Sequence, residues 1–216
     1  MRSRFVLVGL AAAMLCAAVT SVAAAETPCK GIADGKDVCL FTEGTEKTAT
    51  TFPITGKLVG SAAPLTQNGG ATLVCNSGPL TGTLAAPADG VTAEKLTISF
   101  SACLIVGHTA ECEVQPFTFK ATGLMTTNAA IALVEEGAGP LSEVTISGGG
   151  CPFFTSKAKL TGSQTCKLVN MEVEEVAHTM TCLTNESNLK FRGSADYFQV
   201  KETLELGGKK WSIKNS

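Results

Sequence analysis

Aromatic side chains with a polar handle are scarce: Trp211 is the one tryptophan and Tyr197 the one tyrosine. Many carbohydrate-binding surfaces present several exposed Trp or Tyr rings to sugar faces, and one of each argues against that use. Only two histidines occur, His108 and His178, too far apart for an H-E-x-x-H zinc motif. No stretch reads G-x-S-x-G, so an elbow-type serine hydrolase has no nucleophile site. No phosphate-cradling G-x-G-x-x-G or P-loop stands between a strand and a helix. No C-x2-C pair offers the close thiolates that structural zinc sites favour. Positive charge is not in excess, with 17 Lys+Arg against 19 Asp+Glu. The lysines are scattered, which leaves no basic stripe for nucleic acid and no polybasic segment for anionic lipid.

What is present begins with an export signal. Arg2 and Arg4 precede the apolar, uncharged stretch from Phe5 to Val19, and Val22-Ala23-Ala24-Ala25 supplies small residues for a signal peptidase. The apolar run is short for a retained anchor and ends in a processing site. Cys16 follows Leu15, where a lipid-modified cysteine needs a small residue. Cleavage after Ala25 makes the mature chain start at Glu26, somewhat more acidic than the net −2 of the whole chain. No later segment is apolar for long enough to span a bilayer as a helix.

The same cleavage removes Cys16 from the nine cysteines. Those left are Cys29, Cys39, Cys75, Cys103, Cys112, Cys151, Cys166 and Cys182. An even number in an exported chain reads as a disulfide framework, although so many cysteines allow on the order of a hundred connectivities. The stretch from Ser101 to Val114 tests this reading, because Cys103 and Cys112 bracket His108 beside Glu111 and Glu113. A thiolate metal site there would have only three ligands and would have to survive oxidation. A catalytic Cys/His pair fails for the same reason. A cross-linked turn remains, and short loops suggest the pairs Cys103–Cys112, Cys29–Cys39 and Cys151–Cys166. Cys75–Cys182 is then left as a long-range tie. The rival pairs Cys75 with Cys103 and sends Cys112 to a distant partner.

From Phe52 onward the pattern is β. Leu96, Ile98 and Phe100 alternate with Lys95, Thr97 and Ser99, a period of two that buries one face. Val144 and Ile146 repeat this, as do Phe117, Phe119 and Ala121. Phe198, Val200, Leu204 and Leu206 share one parity, with Glu202 breaking the row. Ala129–Glu136 and Ser187–Gly193 are shorter candidates. Lys167–His178 reads as a strand, since no clean helical stripe runs through it. Asn68-Gly69, Asp89-Gly90 and Gly207-Gly208 are turn signals. TLVCNSGPLTGTL (Thr72–Leu84) and TISGGGCPFFTSKAKLTGS (Thr145–Ser163) echo each other as strand, cysteine, glycine and Leu-Thr-Gly, as a duplicated half would.

The expected organisation is a signal peptide over 1–25, a disulfide clasp and polar linker or edge segment over 26–51, and a β-sandwich domain over 52–216. The expected fold class is all-β, a disulfide-stapled β-sandwich or barrel-like antiparallel sheets. "TLVC" (Thr72–Cys75), "ISFSAC" through "CEV" (Ile98–Val114), "VTISGGGC" (Val144–Cys151), "MTCLTNESNLKF" (Met180–Phe191) and "GKKWSI" (Gly208–Ile213) resemble a diffuse group of uncharacterised exported cysteine-containing β proteins of actinobacteria. The resemblance implies export, disulfides and a β fold, and carries no activity and no site residue.

Functionally, the expectation is a secreted or cell-surface binding or structural module, with no catalytic residue, metal or cofactor and an extracellular or cell-envelope partner. Two other readings stand beside it. A secreted glycoside hydrolase would pair two of Glu111, Glu113, Glu135, Glu136, Glu172, Glu174 and Glu175. A soluble carrier would hold a small apolar ligand between its sheets. Asn185-Glu186-Ser187 also fits a glycosylation sequon.

Overall fold

The computed structural model describes residues 38–47, 50–67, 71–86, 91–108, 110–126, 130–151, 157–191 and 194–215. The expected signal peptide over 1–25 and Cys29, and with it the expected Cys29–Cys39 clasp, lie outside these residues. The described chain is all strand and turn. In order come β1 (Val38–Thr42), β2 (Thr45–Lys47), β3 (Thr50–Leu58), β4 (Ala62–Gln67), β5 (Thr72–Ser77) and β6 (Leu80–Ala86). Then follow β7 (Thr92–Ile105), β8 (Glu113–Val114), β9 (Phe117–Thr126), β10 (Ala130–Glu135), β11 (Ser142–Ser147) and β12 (Lys157–Thr161). The last are β13 (Ser163–Val169), β14 (Ala177–Ser187), β15 (Lys190–Phe191), β16 (Ser194–Glu205) and β17 (Trp211–Asn215).

Eight of these close into an antiparallel barrel, in the order β3, β6, β7, β9, β10, β13, β14, β16 and back to β3. The sandwich half of the expectation is therefore corrected. Local alternation is the same in both architectures, and the difference lies in the first and last barrel strands, β3 and β16, pairing with each other. Closure leaves no free sheet edge on the barrel.

Further pairings make a second circuit. The far half of β7 pairs β5, β5 pairs β4, and β4 pairs the first half of β16. On the other side β9 meets β11, β11 pairs β12, β12 pairs β15, and β15 returns to β16. The contact of β9 with β11 is brief: Phe119 faces Ser142, and the Lys120 N–H donates to the Leu141 carbonyl at 2.6 Å. The long strands β7, β9 and β16 thus serve both circuits. The same pairing scheme occurs twice along the chain, over β3–β9 and again over β10–β16. In each copy the last strand pairs into the other copy: β9 with β10 and β11, β16 with β3 and β4. The sequence echo is out of step with this repeat, because Leu80-Thr81-Gly82 opens β6 whereas Leu160-Thr161-Gly162 closes β12.

The alternating residues point inward as expected. Leu96, Ile98, Phe100, Phe117, Phe119, Ala121, Val144, Ile146, Phe198, Val200, Leu204 and Leu206 are all buried in one continuous core. Phe119 stacks on Phe198 at 4.6 Å, and Phe100 packs against Phe117 at 5.3 Å. Asn170–Val176, expected within a strand, is the connection between β13 and β14, and Asn170 adopts φ 61° there. Gly207 and Gly208 turn as expected, at φ 59° and 73°, but they hand the chain to a separate sheet. In that three-stranded sheet β1 lies between β17 and the edge strand β2.

Among the described residues the disulfides are Cys75–Cys103, Cys112–Cys151 and Cys166–Cys182, so the expected Cys103–Cys112, Cys151–Cys166 and Cys75–Cys182 pairs are corrected. The local-loop reasoning failed because β7 runs past Cys103 to Ile105 before it turns. Cys103 therefore faces Cys75 across β5, as Cys166 faces Cys182 across β14. Cys112 accepts its place from the turn, its N–H donating to the His108 carbonyl at 3.0 Å, and β8 then pairs β11 just before Cys151. The rival connectivity, with Cys75 on Cys103, is the observed one.

Candidate functional site

The histidines and glutamates that sequence reasoning weighed for chemistry do not converge on one site, and all but His178 reach the surface. His108 sits in the turn after β7, with Nδ1 2.8 Å from Glu111 Oε2, and both side chains are solvent-accessible. Glu113 is exposed and accepts from Gln115 Nε2 at 2.8 Å. Glu172 and Glu175 are exposed in the β13–β14 connection. Several other carboxylates accept from backbone amides at turns. Glu174 takes the Gly44 N–H at 2.6 Å, Glu43 the Lys210 N–H at 2.9 Å, and Glu135 the Gly162 N–H at 2.8 Å. Each thereby satisfies a donor that no strand partner reaches, a stapling role. Among the described residues no three His, Cys, Asp or Glu side chains gather where a metal ion could be held.

His178 belongs to packing. Its Nε2–H donates to the Trp211 carbonyl at 2.7 Å, and its ring meets the indole edge-on at 4.7 Å. The indole N–H in turn donates to the Val176 carbonyl at 3.2 Å. This cluster fastens β17, and with it the small sheet, to the β13–β14 end of the barrel.

The chemically unusual group is one that sequence reasoning passed over. Glu202 lies on the inward face of β16, fully buried, with Met180 of β14 and Leu58 of β3 as register partners. Neither carboxyl oxygen has a hydrogen-bond partner among the described residues. Burial pushes its pKa from an ordinary 4.5 up to about 8, because the apolar interior penalises the charged form. Gly56 makes the room: a Cβ there would stand 2.9 Å from Leu80 Cβ and 3.2 Å from Glu202 Oε2. The signal was visible in the sequence as the one charge in the row Phe198, Val200, Leu204, Leu206.

The concavities are mostly outside the barrel. Open grooves of about 620 and 570 Å3 flank the loop at Glu136, one against Phe117 and Lys120, the other across Leu124, Ala132 and Val134. The enclosed space inside the barrel, lined by Ile54, Leu80, Met180, Leu204 and their neighbours, is only about 10 Å3. No helix among the described residues is long and apolar enough to cross a membrane. No protein-family model, curated protein or solved structure matches the chain.

Proposed function

We propose that the protein is a secreted or cell-surface β module with a binding or structural role and no chemistry of its own, akin to the exported actinobacterial β proteins it resembles. The observation that carries this reading is the filled barrel. An interior of about 10 Å3 has space for one water at most, whereas ligand pockets run to roughly 300–1,000 Å3. Any partner of appreciable size therefore meets the outer surface, where the open grooves lie. Among the described residues so small a barrel interior gives the carrier reading little support. The hydrolase reading finds little support in the named glutamates, which are exposed or engaged at turns. Three disulfides among the described residues fit an extracellular environment and support export.

Fractionation of the source cells tests the location. The expected chain is found in the medium or the cell-wall fraction and begins at Glu26; a cytosolic chain retaining Met1 overturns the reading. Titration of the mature chain with a fluorescent fatty-acid probe tests the role. No saturable binding at one probe per chain is expected, and stoichiometric binding would restore the carrier.

A further inference from the structure

We propose that Glu202 is a proton-operated latch on the seam between β3 and β16: with its proton the seam stays dry and shut, and without it the seam opens to water. The seam is the last closure of the barrel, joining strands from opposite ends of the chain. It holds only the register pairs from Glu202–Leu58 to Glu205–Thr55, extended by the Val59 N–H donating to the Lys201 carbonyl at 2.8 Å. Glu202 stands at the mouth of this short ladder with its carboxyl turned into the barrel. A neutral carboxyl can be buried there at moderate penalty, but a carboxylate needs donors, and Leu80, Leu204 and Met180 supply none. The interior space of about 10 Å3 lined by Leu80, Met180 and Leu204 is apolar and holds at most a single water. Hydrating the ionised group therefore requires β3 and β16 to part.

The other charged groups around Glu202 are few. Among the described side chains on the inward face of β14 the titratable group is His178, one alternate position from Met180 and engaged by Trp211. The inward residues of β3, Phe52, Ile54 and Gly56, and of β6, Leu80 and Leu84, carry no charge. Lys57 on β3 and Lys201 on β16 belong to the opposite, exposed faces. Asp196 is inward on β16 but at its far end, where it accepts the Thr66 N–H at 2.9 Å.

The sign follows from proton linkage. Between the ordinary 4.5 and about 8, the folded chain keeps a proton that an open or unfolded chain releases. Stability from this group is thus complete below that window and falls as pH rises through it. The closing equilibrium weakens by up to about tenfold per pH unit for a single proton.

The test uses the oxidised mature chain and its Glu202→Gln variant, which keeps the shape of the protonated acid. Amide hydrogen exchange is compared at about pH 6 and pH 9 after correction for intrinsic rates. In the wild type, protection across β3–β16, including Val59, should drop at least about tenfold relative to β6–β7. In Glu202→Gln the two regions should stay in step. An equal relative drop in the variant, or none in the wild type, overturns the latch. If the variant does not fold, the side-chain carboxyl carbon of wild-type Glu202 is titrated by NMR. A midpoint at least about two pH units above an ordinary glutamate supports the proposal, and a smaller shift overturns it.

Discussion

Gly123 shows how little freedom single positions have in a closed barrel. It lies on β9 opposite Leu133, and a Cβ added to it would stand 2.5 Å from Ile131 Cγ1 and 3.1 Å from Leu133 Cδ2. In the other copy of the pairing scheme the roles are exchanged, with Gly56 on β3 opposite Leu204 on β16. Each closure thus sets one glycine against one leucine, because the narrow interior has volume for one large side chain there. Gly123→Ala should therefore destabilise by about 1–3 kcal/mol through overpacking, read as a lowered guanidinium midpoint at unchanged slope. Adding Ile131→Val removes the Cδ1 methyl, 2.6 Å from that Cβ, while Cγ1 stays, and should recover part of the loss. Gly148 is less forgiving: at φ 126° its added Cβ would fall on the Glu111 carbonyl, which is backbone and cannot rotate away.

At the scale of elements, the disulfides and the small sheet hold what strand pairing leaves loose. Cys75–Cys103 and Cys166–Cys182 join residues already opposed in neighbouring strands, whereas Cys112–Cys151 ties the turn after β7 to the end of β11. A peptide map of the unreduced protein should contain these three joined fragments, and none linking Cys103 to Cys112. In the chain-entropy account, the sequence separations of 39 and 16 predict a loss of about 4 kcal/mol for the Cys112→Ala/Cys151→Ala pair against about 3 kcal/mol for Cys166→Ala/Cys182→Ala. Chemical denaturation of the two double variants checks the order. The small sheet is secured differently, by Trp211, fully buried between His178 and the Val176 carbonyl. As the one tryptophan, it reports that junction alone. Its fluorescence and the far-ultraviolet circular dichroism should therefore unfold with coincident midpoints; an earlier fluorescence transition would mean the sheet undocks on its own.

For the whole molecule, the repeated pairing scheme implies interdependence and not two separable domains. The chain from 50 to 126 cannot close a ring without β10 and β16, and the chain from 130 to 205 cannot close one without β3 and β9. Each half expressed alone would expose unpaired strand edges and an apolar face. Neither should give a dispersed amide NMR spectrum by itself, while the two mixed under oxidising conditions should recover dispersion. A half that folds alone would contradict the shared-ring architecture.

The sequence by itself determined strand identity and facing, because side-chain direction in a strand alternates with a fixed period of two. Leu96, Ile98 and Phe100, or Phe198, Val200 and Leu204, announce a buried face whatever they pair with. It also carried the sign of the candidate group: a glutamate in the row of Val200 and Leu204 must be buried if the row is. What it could not carry is partner choice. Cys103 meets Cys75 and not Cys112 because β7 continues two residues beyond it, and Lys167–His178 breaks into a turn at Asn170 despite its alternation. Closure of a barrel in place of a sandwich rests on β3 finding β16, strands separated by most of the chain. Such contacts depend on how loops and twist bring distant segments together, and no local periodicity records them. Only the tertiary structure decided that Glu202 is buried beside Leu80, Leu204 and Met180 with no hydrogen-bond partner among the described residues, which turns a lone charge in an apolar row into a carboxyl that favours its proton.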